Sequence, residues 1–444
     1  MSTRRRATWS SILAVALTLF AVSALAWSVA SQKEEDAVSP MRPVTAIDRQ
    51  VETDAQTMID RGRAIFRMST FRSQSFFGGV LRLHEAVAKV PPRTALAVGL
   101  KVDADAVPPQ VLATADLDDP ATTIALLRLN AVVGVRGVFD PDQTANGGLK
   151  SLGLTCAFCH STVDDSVAPG IGHRLDGWPN RDLNVGAILG LSPNLQALAD
   201  RLGTDVPTVK TVLASWGPGK FDASLFMDGK GLRPDGKTAA VLIPPAYGLA
   251  GVNLHTYTGW GSVPYWNAFV ANLEMNGKGT FFDPRLADAE KFPLAAAHHL
   301  DNKRDSIDAV TGKLADLHFY QLALLAPQPP AGSFDAAAAS RGGALFAGKA
   351  ACATCHVPPL YTDPGWNLHT AEEIGIDDFQ AQRSPTGRYR TTPLKGAWSR
   401  SKGGYYHDGR FATLLDVVEH YNQFQHLGLS PAEKADLVEF LKSL

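Results

Sequence analysis

The sequence is poor in cysteine and methionine, with four and six residues respectively in a chain of 444. Neither sign of charge dominates, since 42 Lys and Arg stand against 44 Asp and Glu and leave a formal net charge of −2. No long basic block is present after the first residues, so nucleic acid is not an expected partner. Charged residues make up 19% and hydrophobic residues 45% of the chain, which is the balance of a globular protein.

Long hydrophobic runs are absent except near the N-terminus. An arginine triplet at residues 4–6 precedes an apolar run, and small residues at 24–26 or 28–30 fit a cleavage site. Residues 1–30 are therefore predicted to be a signal peptide, or an N-terminal anchor because the apolar run is long. Either alternative predicts an exported, periplasmic protein whose contact with a membrane is limited to an uncleaved N-terminus.

All four cysteines fall in two copies of one motif, CAFCH and CATCH. Cys-x-x-Cys-His is the attachment signature of c-type haem, because two thiols one helical turn apart can each bond a haem vinyl group. The histidine that follows lies where it can bind the iron. Two disulfides, or one zinc site of four cysteines, would leave the repeated histidine unexplained. The predicted covalent and proximal iron-binding residues are Cys156, Cys159 and His160 for haem 1, and Cys352, Cys355 and His356 for haem 2.

Helix signals surround the second motif. An alanine-rich segment precedes it, and SPAEKADLVEFLKSL ends the chain with Ser430 as N-cap, Pro431 in the first turn and Glu433 closing a capping box. Residues 331–444 are predicted to form a cytochrome c domain around haem 2. Residues 50–330 are predicted to form a larger cytochrome c-like domain around haem 1. The expected fold class is mostly α, with the first domain enlarged by long loop-rich insertions.

The C-terminal residues resemble a known superfamily. The segment RYRTTPLKGAWSRSKGGYYHDGRFATLLDVVEHYN is similar to the C-terminal half of bacterial di-haem cytochrome c peroxidases and MauG enzymes. In the first half GIGHRLDGWPNRDLNVGAILGL looks closer to enlarged members, such as di-haem oxygenases. The resemblance implies a reactive haem at His160 and an electron-transfer haem at His356. It also implies a distal ligand for haem 2, which is methionine in the peroxidases and tyrosine in MauG.

The choice of a distal ligand for haem 2 within its own domain excludes methionine, because no methionine follows Cys352. Thr413 can cap an amphipathic helix whose apolar face carries Tyr421. Tyr421 also stands fourteen residues after His407, the spacing of the family ligand after its H-D-G turn. Tyr421 is therefore the predicted distal candidate, and the neighbouring histidines His420 and His407 are the alternatives.

No spacing singles out a distal ligand for haem 1, and an open sixth position is one alternative. An aromatic cluster with a nearby histidine is a candidate distal pocket, although an ordinary packed core would have the same composition. The pocket candidates are His255, Tyr257 and Trp260. The family resemblance also suggests an inter-haem tryptophan, for which Trp216 is the candidate.

Two polar segments are candidates for binding charged groups. DPDQTANGG, residues 140–148, resembles a turn that could hold calcium, although it lacks the spacing of an EF-hand loop. Arg383, Arg388 and Arg390 precede TTPLKG, and their planar guanidinium groups suit haem propionates. A position on the protein surface is the alternative for these arginines.

Two classes of function stay open at this point. In the first, the protein is a peroxidase or MauG-like oxidoreductase in which hydrogen peroxide or dioxygen reacts at haem 1 and a small redox protein exchanges electrons. An oxygenase of an apolar substrate is a variant of this hypothesis. In the second, the protein is a periplasmic di-haem electron-transfer cytochrome without catalysis. The two classes differ in whether a side chain ligates the first iron on its distal side.

Overall fold

Helices provide most of the regular structure in the computed structural model, which describes residues 44–142 and 145–444. The mostly α prediction is confirmed at this level. Residues 1–30, predicted to be a signal or anchor, and part of the candidate calcium segment lie outside the described residues. The α-helices are Ala46–Met68, Leu83–Val87, Pro92–Ala97, Pro109–Thr114, Pro120–Arg128, Ala157–His160, Val185–Gly190, Gln196–Leu202, Val206–Trp216, Leu225–Asp228, Val263–Phe269, Pro293–Ala297, Leu314–Ala323, Ala336–Ala347, Phe379–Gln382, Leu414–Phe424 and Pro431–Ser443.

Two π-helices and several 3₁₀ turns add to these elements in the described part of the chain. The π-helices are Ser75–Val80 and Val270–Glu274, and the second continues the helix that ends at Phe269. π-Helical turns inside helices are frequently found at functional sites. The 3₁₀ turns are Ala104–Ala106, Ala145–Gly148, Pro284–Ala287, Thr311–Lys313, Cys352–Thr354 and Ala397–Arg400.

The strands are short and form two-stranded pairs only, over the ranges that the structure describes. Four pairs are antiparallel and one, Val102–Asp103 with Ile171–Gly172, is parallel. The antiparallel pairs are Val135–Phe139 with Leu149–Leu154, Ser161–Val163 with Arg174–Asp176, Lys220–Phe221 with Val241–Leu242, and Thr280–Phe282 with Asn302–Arg304.

The buried apolar residues form separate cores around the two haem motifs. The larger core runs from Phe66 to Tyr320, and a smaller one is built from Phe346 to Leu441. In the smaller core the helices Ala336–Ala347 and Pro431–Ser443 cross closely at Gly342. A Cβ on this glycine would lie 2.0 Å from the backbone oxygen of Asp436, so a larger residue cannot occupy the crossing.

A fully buried ion pair network joins the two halves of residues 57–444, which form one unit. Arg383 donates from Nε to Asp228 over 2.7 Å and from one terminal nitrogen to Asp222 over 3.0 Å. Its other terminal nitrogen donates to the carbonyl oxygen of Ala239 over 3.1 Å. Arg383 is thus fully engaged by two carboxylates and a backbone carbonyl of this chain and is buried, so both sequence-based alternatives for it, pairing with a haem propionate and a position on the surface, are wrong.

None of the helices within residues 44–142 and 145–444 is long and apolar enough to cross a membrane.

Candidate functional site

The first motif lies in the wall of a cavity of about 330 Å³. Cys156, Cys159 and His160 all line this cavity, at the short helix that follows the strand Leu149–Leu154. Burial raises the pKa of both thiols to about 12, so both cysteines carry their proton at neutral pH. The lining is mainly aliphatic and aromatic, which suits a flat apolar ring system.

The hydrogen bond of His160 prepares its ring for binding a metal. Nδ1 lies 3.1 Å from the carbonyl oxygen of Pro244, and a carbonyl can only accept, so Nδ1 carries the hydrogen. Burial lowers the pKa of His160 to about 4, so the ring is neutral at pH 7. The remaining nitrogen, Nε2, therefore keeps a free lone pair. This is the tautomer and the second-sphere bond typical of iron-ligating histidines.

The second motif repeats the arrangement in a separate cavity of about 250 Å³. Cys352, Cys355 and His356 line it, and Nδ1 of His356 lies 3.1 Å from the carbonyl oxygen of Tyr361. Burial lowers the pKa of His356 to about 4 and raises that of Cys352 to about 11. The two cysteine pairs line different cavities, and the described residues contain no cluster suited to a metal ion of the zinc type. The arrangement therefore fits haem attachment and not a four-cysteine zinc site.

Three arginines of the second cavity lack an anionic partner. Arg181, Arg390 and Arg400 line the cavity, and no described carboxylate forms an ion pair with any of them. Nε of Arg181 and of Arg390 are buried without a hydrogen-bond partner. Burial, followed by the charge of Arg400, lowers the pKa of Arg390 to about 10. Unpaired buried cations are costly, and the two propionates of a haem are anions of the right charge to compensate them.

The same tight turn is built into the wall of each cavity. The backbone N–H of His255 donates to the oxygen of Gly261 over 2.8 Å, and that of Tyr405 donates to Phe411 over 2.8 Å. In each turn the residue after the donor and the glycine three positions further have positive φ. Those left-handed residues are Thr256 and Gly259 in the first turn, and Tyr406 and Gly409 in the second.

A capped helix follows each turn and presents the same face to its cavity. Ser262 caps one helix and Thr413 caps the other, each by accepting a backbone N–H three residues on. Counted from these caps, Val270 and Tyr421 occupy the same position. The first helix therefore has a valine where the second has a tyrosine. The equivalent lining pairs are Val263 and Leu414, Trp266 and Val417, Asn267 and Val418, Val270 and Tyr421, and Glu274 and Gln425.

The structure separates the three distal candidates of the second motif. Tyr421 and His407 line the cavity, whereas His420 is not among the lining residues and donates from Nε2 to the oxygen of Ile374 over 2.9 Å. The ring of His407 is stacked on Tyr389 with a centroid distance of 5.3 Å. Burial raises the pKa of Tyr421 and lowers that of His407 to about 4.

The candidates for the first cavity are brought together around it. His255, Tyr257 and Trp260 all line the cavity. His255 donates from Nε2 to the oxygen of Val252 over 2.9 Å, and Trp260 is stacked on Phe292 at 5.6 Å. The predicted inter-haem residue Trp216 is placed elsewhere: it is buried against Phe221 and lines neither cavity.

A buried acid in the first cavity was missed at the sequence level. Both carboxyl oxygens of Glu274 are buried without a hydrogen-bond partner. Burial raises its pKa well above the usual value, while Arg201 opposes this shift and Asp222 adds to it. The shift favours the protonated, neutral form of the carboxyl group. In the sequence Glu274 looks like any glutamate near the end of a helix. Only an alignment of the two capped helices, which pairs it with Gln425, would have placed it in the cavity wall.

Two curated proteins are similar to part of the chain. The methylamine utilization protein MauG of Methylorubrum extorquens is 33% identical over 122 residues, covering 24% of this chain and 34% of that protein. The cytochrome-c peroxidase IdrP1 of Denitromonas iodatirespirans is 31% identical over 153 residues, covering 24% of this chain and 40% of that protein. These similarities support a resemblance to the di-haem cytochrome c peroxidase and MauG superfamily over 24% of the chain.

The similarity to these superfamily members is partial, since the chain spans well under half the length of either curated relative. No family model matches the chain. Among solved structures, a MauG-like protein associated with microbial copper homeostasis has a TM-score of 0.32 at 19% identity, covering 49% of this chain and 76% of that one. A Kuenenia stuttgartiensis hydrazine synthase has a TM-score of 0.27 at 21% identity, covering 48% and 75%. These scores are too low for a conclusion about a shared fold.

The similarity to MauG and to a cytochrome c peroxidase implies c-type haem as the cofactor, and the residues present fit it. Each motif provides two protonated thiols and a neutral histidine with a free Nε2 beside a cavity. The second cavity adds the arginines that propionates require.

Proposed function

We propose that the chain is a di-haem oxidoreductase of the peroxidase or MauG type, with one haem in each cavity. Haem 1 would be attached to Cys156 and Cys159 and haem 2 to Cys352 and Cys355. Residues 50–330 and 331–444 would be the two haem domains, the first enlarged. Support comes from the separate hydrophobic cores and from the two cavities with identical motif chemistry.

The proposed difference between the two haems rests on Val270, which occupies on the first helix the position that the candidate ligand Tyr421 occupies on the second. Val270 has no atom that can bind iron, whereas its counterpart Tyr421 has a hydroxyl oxygen. Haem 1 is thereby proposed as the reactive site with an open position, and haem 2 as the six-coordinate electron-transfer site. When bound, the first haem supplies redox chemistry with hydrogen peroxide or dioxygen.

The chain's own residues would prepare the first site for such an oxidant. His160 would hold the iron through Nε2, because its Nδ1 is bonded to the backbone oxygen of Pro244. Glu274, four residues after Val270 on the same cavity-lining face, has a carboxyl group whose pKa is raised by burial, which favours its protonated form. A neutral buried acid can donate that proton to a bound oxidant and recover it from solvent. The apolar lining excludes bulk water from the rest of the cavity.

Spectroscopy with and without peroxide tests the proposed function directly. The ferric protein is expected to contain two haems per chain, one of them high-spin or weakly ligated, and the signal of that haem should disappear on adding equimolar hydrogen peroxide. Electron paramagnetic resonance and optical spectra measure both properties. Two low-spin six-coordinate haems in both redox states, without a peroxide reaction, would instead identify an electron-transfer cytochrome.

Replacing Tyr421 by phenylalanine is expected to remove the second axial ligand of haem 2. The low-spin ferric signal of that haem should be lost, and its reduction potential should rise because an anionic tyrosinate lowers the potential. The matched control is His420→Gln, which lies next to Tyr421 but outside the cavity lining and should leave the spectrum unchanged. If His407→Gln, and not Tyr421→Phe, abolishes the low-spin signal, His407 is the ligand and the assignment of Tyr421 is wrong.

A second candidate function is oxidation of an apolar substrate at the same site. The segment at residues 75–98 contributes Phe76, Leu81, Val87 and Leu96 to the first cavity. Such a lining suits a hydrocarbon. A long-chain alkene that perturbs the optical spectrum of haem 1 and is consumed with dioxygen, in the absence of peroxide, would favour this alternative.

The proposed location is the periplasm, with a small redox protein as electron partner. The support is chemical, because bacteria attach c-type haem outside the cytoplasm. Fractionation of cells that produce the full chain, with haem stain as the readout, tests the location.

A further inference from the structure

A tyrosine lies directly behind the aromatic wall of the first cavity. Tyr265 is on the capped helix Val263–Phe269 beside Trp266, and Trp266 lines the cavity whereas Tyr265 does not. The two rings meet edge to face with a centroid distance of 5.9 Å. Contacts with Phe269 at 6.1 Å and Phe281 at 5.8 Å enclose the Tyr265 ring on its other sides. Tyr265 is therefore separated from the cavity by one aromatic ring.

The Tyr265 hydroxyl is bonded to a buried carboxylate, since it donates to Oδ2 of Asp283 over 2.6 Å. Arg285 also donates to Asp283, from its backbone N–H over 3.0 Å and from its guanidinium over 2.8 Å. Burial raises the pKa of Asp283, but the hydrogen bonds from Arg285 and Tyr265 outweigh this effect and lower it below its usual value. Burial, together with the bond to Asp283, raises the pKa of Tyr265. The pair thus consists of a phenol and an ionised acceptor in direct contact.

Arg285 links this pair to the cavity wall and opposes a positive charge on the tyrosine ring. One of its terminal nitrogens donates to the backbone oxygen of Trp260 over 3.2 Å, and Trp260 lines the cavity. Its guanidinium carbon lies 5.4 Å from the centroid of the Tyr265 ring. A cation over a ring repels any positive charge that develops on it. Oxidation of Tyr265 is therefore favoured when the phenol proton leaves together with the electron.

A second tyrosine of the described residues has the same kind of acceptor in a different place. Tyr320 donates to Oδ2 of Asp176 over 2.6 Å. Its ring contacts Phe66 with a centroid distance of 5.6 Å, and neither ring lines either cavity. Tyr320 therefore shares the carboxylate of Tyr265 but has no such ring neighbour in the cavity wall, which makes it a matched control.

We propose that Tyr265 and Asp283 form a proton-coupled redox site that supplies an electron to haem 1 when hydrogen peroxide is reduced there. The inference rests on the proposed function, in which peroxide is the oxidant at haem 1. Peroxide takes up two electrons and two protons and leaves as two molecules of water. One electron comes from Tyr265 through the Trp266 ring and the other from the haem irons, while the two protons come from solvent. The O–H bond of Tyr265 breaks as its proton passes to Asp283, and a neutral tyrosyl radical remains.

The existing hydrogen bond makes this step local and reversible. An oxidised phenol is a strong acid that must give its proton to a base, and a positioned carboxylate is such a base. The proton has to move only along the bond between Tyr265 and Asp283, and it returns when an electron donor reduces the radical. The site thus stores one oxidising equivalent beside haem 1 until a donor arrives.

The test is electron paramagnetic resonance of the complete, haem-loaded protein, frozen shortly after mixing with equimolar hydrogen peroxide. Ring-deuterated tyrosine identifies the signal, because deuteration narrows the resonance of a tyrosyl radical. The wild type is expected to show this radical, and Tyr265→Phe is expected to lose it. Asp283→Asn should lower its yield at least several-fold, since an amide is a far weaker base than a carboxylate. The control Tyr320→Phe should retain the signal.

The outcomes separate failure of this inference from failure of the proposed function. Haem content and the loss of the high-spin signal with peroxide are measured first, and both should match the wild type in Tyr265→Phe. A protein that does not react with peroxide refutes the proposed function, and this inference with it. A protein that reacts but shows no tyrosyl radical overturns the inference alone, as does a radical that persists in Tyr265→Phe or disappears in Tyr320→Phe.

The role of the carboxylate has its own contradicting result, which is an unchanged radical yield in Asp283→Asn. If that variant does not fold, electron–nuclear double resonance of the wild-type radical takes its place. The proton on Asp283 should then appear as an exchangeable coupling that is lost in deuterated water. A tyrosyl radical without such a coupling overturns the transfer of its proton to Asp283.

Discussion

Replacing Arg383 by methionine is expected to lower the free energy of unfolding by about 3–5 kcal/mol. Arg383 is 1% exposed, and the side chains of its partners Asp222 and Asp228 are 2% and 0% exposed. Methionine would fill similar volume but leave two carboxylates buried without a cation. Burial already raises the pKa of Asp222 in the presence of the guanidinium, so its loss would be compensated only by protonation or by opening of the structure.

Thermal or denaturant unfolding of the haem-loaded protein, followed by far-ultraviolet circular dichroism, measures this loss. The matched control is Arg341→Met, because Arg341 binds Asp436 through two hydrogen bonds in the same fork geometry but at the surface. Exposed pairs contribute little, so this variant should unfold close to the wild type. A second check is Arg383→Met combined with Asp222→Asn and Asp228→Asn, which should recover part of the stability. Equal stability of Arg383→Met and the wild type would show that the buried network does not hold the two halves together.

Replacing Val270 by tyrosine is expected to slow the reaction of haem 1 with peroxide by about 100-fold, or about 2.7 kcal/mol in the activation free energy. A tyrosine at residue 270 would lie at the same place on its helix as Tyr421 does on the equivalent helix. Its oxygen can bind the iron of haem 1, and an oxidant would then have to displace it. The measurements are the stopped-flow rate of the peroxide reaction and the ferric resonance spectrum, in which a new low-spin signal similar to that of haem 2 should appear.

The control for this substitution is Val270→Phe, which adds nearly the same bulk without an oxygen. It should leave haem 1 high-spin and slow the reaction much less than Val270→Tyr. Equal slowing by both variants would assign the effect to crowding of the cavity. A Val270→Tyr protein that stays high-spin and reacts at the wild-type rate would mean that the two helices do not present equivalent positions to their haems.

The sequence predictions that the structure confirms depend on short stretches of neighbouring residues, such as helix caps. The predicted N-caps Thr413 and Ser430 are present, each as part of a capping box, and the helices they begin run over the expected residues. These features depend on neighbours within one or two turns, which a sequence displays directly. The two Cys-x-x-Cys-His motifs also consist of five consecutive residues and line different cavities, while haem attachment to them stays a prediction.

The features that sequence reading missed depend on distant contacts. Arg383 and Asp222 stand 161 positions apart, so nothing local distinguishes Arg383 from the exposed Arg388 nearby. Glu274 is exceptional only because no partner reaches it in the folded chain. The equivalence of Val270 and Tyr421 is hidden because the sequences of the two turns differ at almost every position, while their hydrogen bonds and left-handed residues coincide.

Pro244, Pro245, Tyr257 and Arg390 line both cavities, and this shared wall has a consequence for redox titrations. With a haem on each side, Arg390 contributes its positive charge to both irons, and a change of oxidation state at one iron alters the field at the other. Sites that interact in this way titrate in steps that belong to the pair and not to either member. A redox titration of this protein is therefore expected to give two macroscopic midpoint potentials that both move when Arg390 is replaced by methionine. The two haems would then be oxidised and reduced as a coupled pair, with potentials that depend on residues lining both cavities.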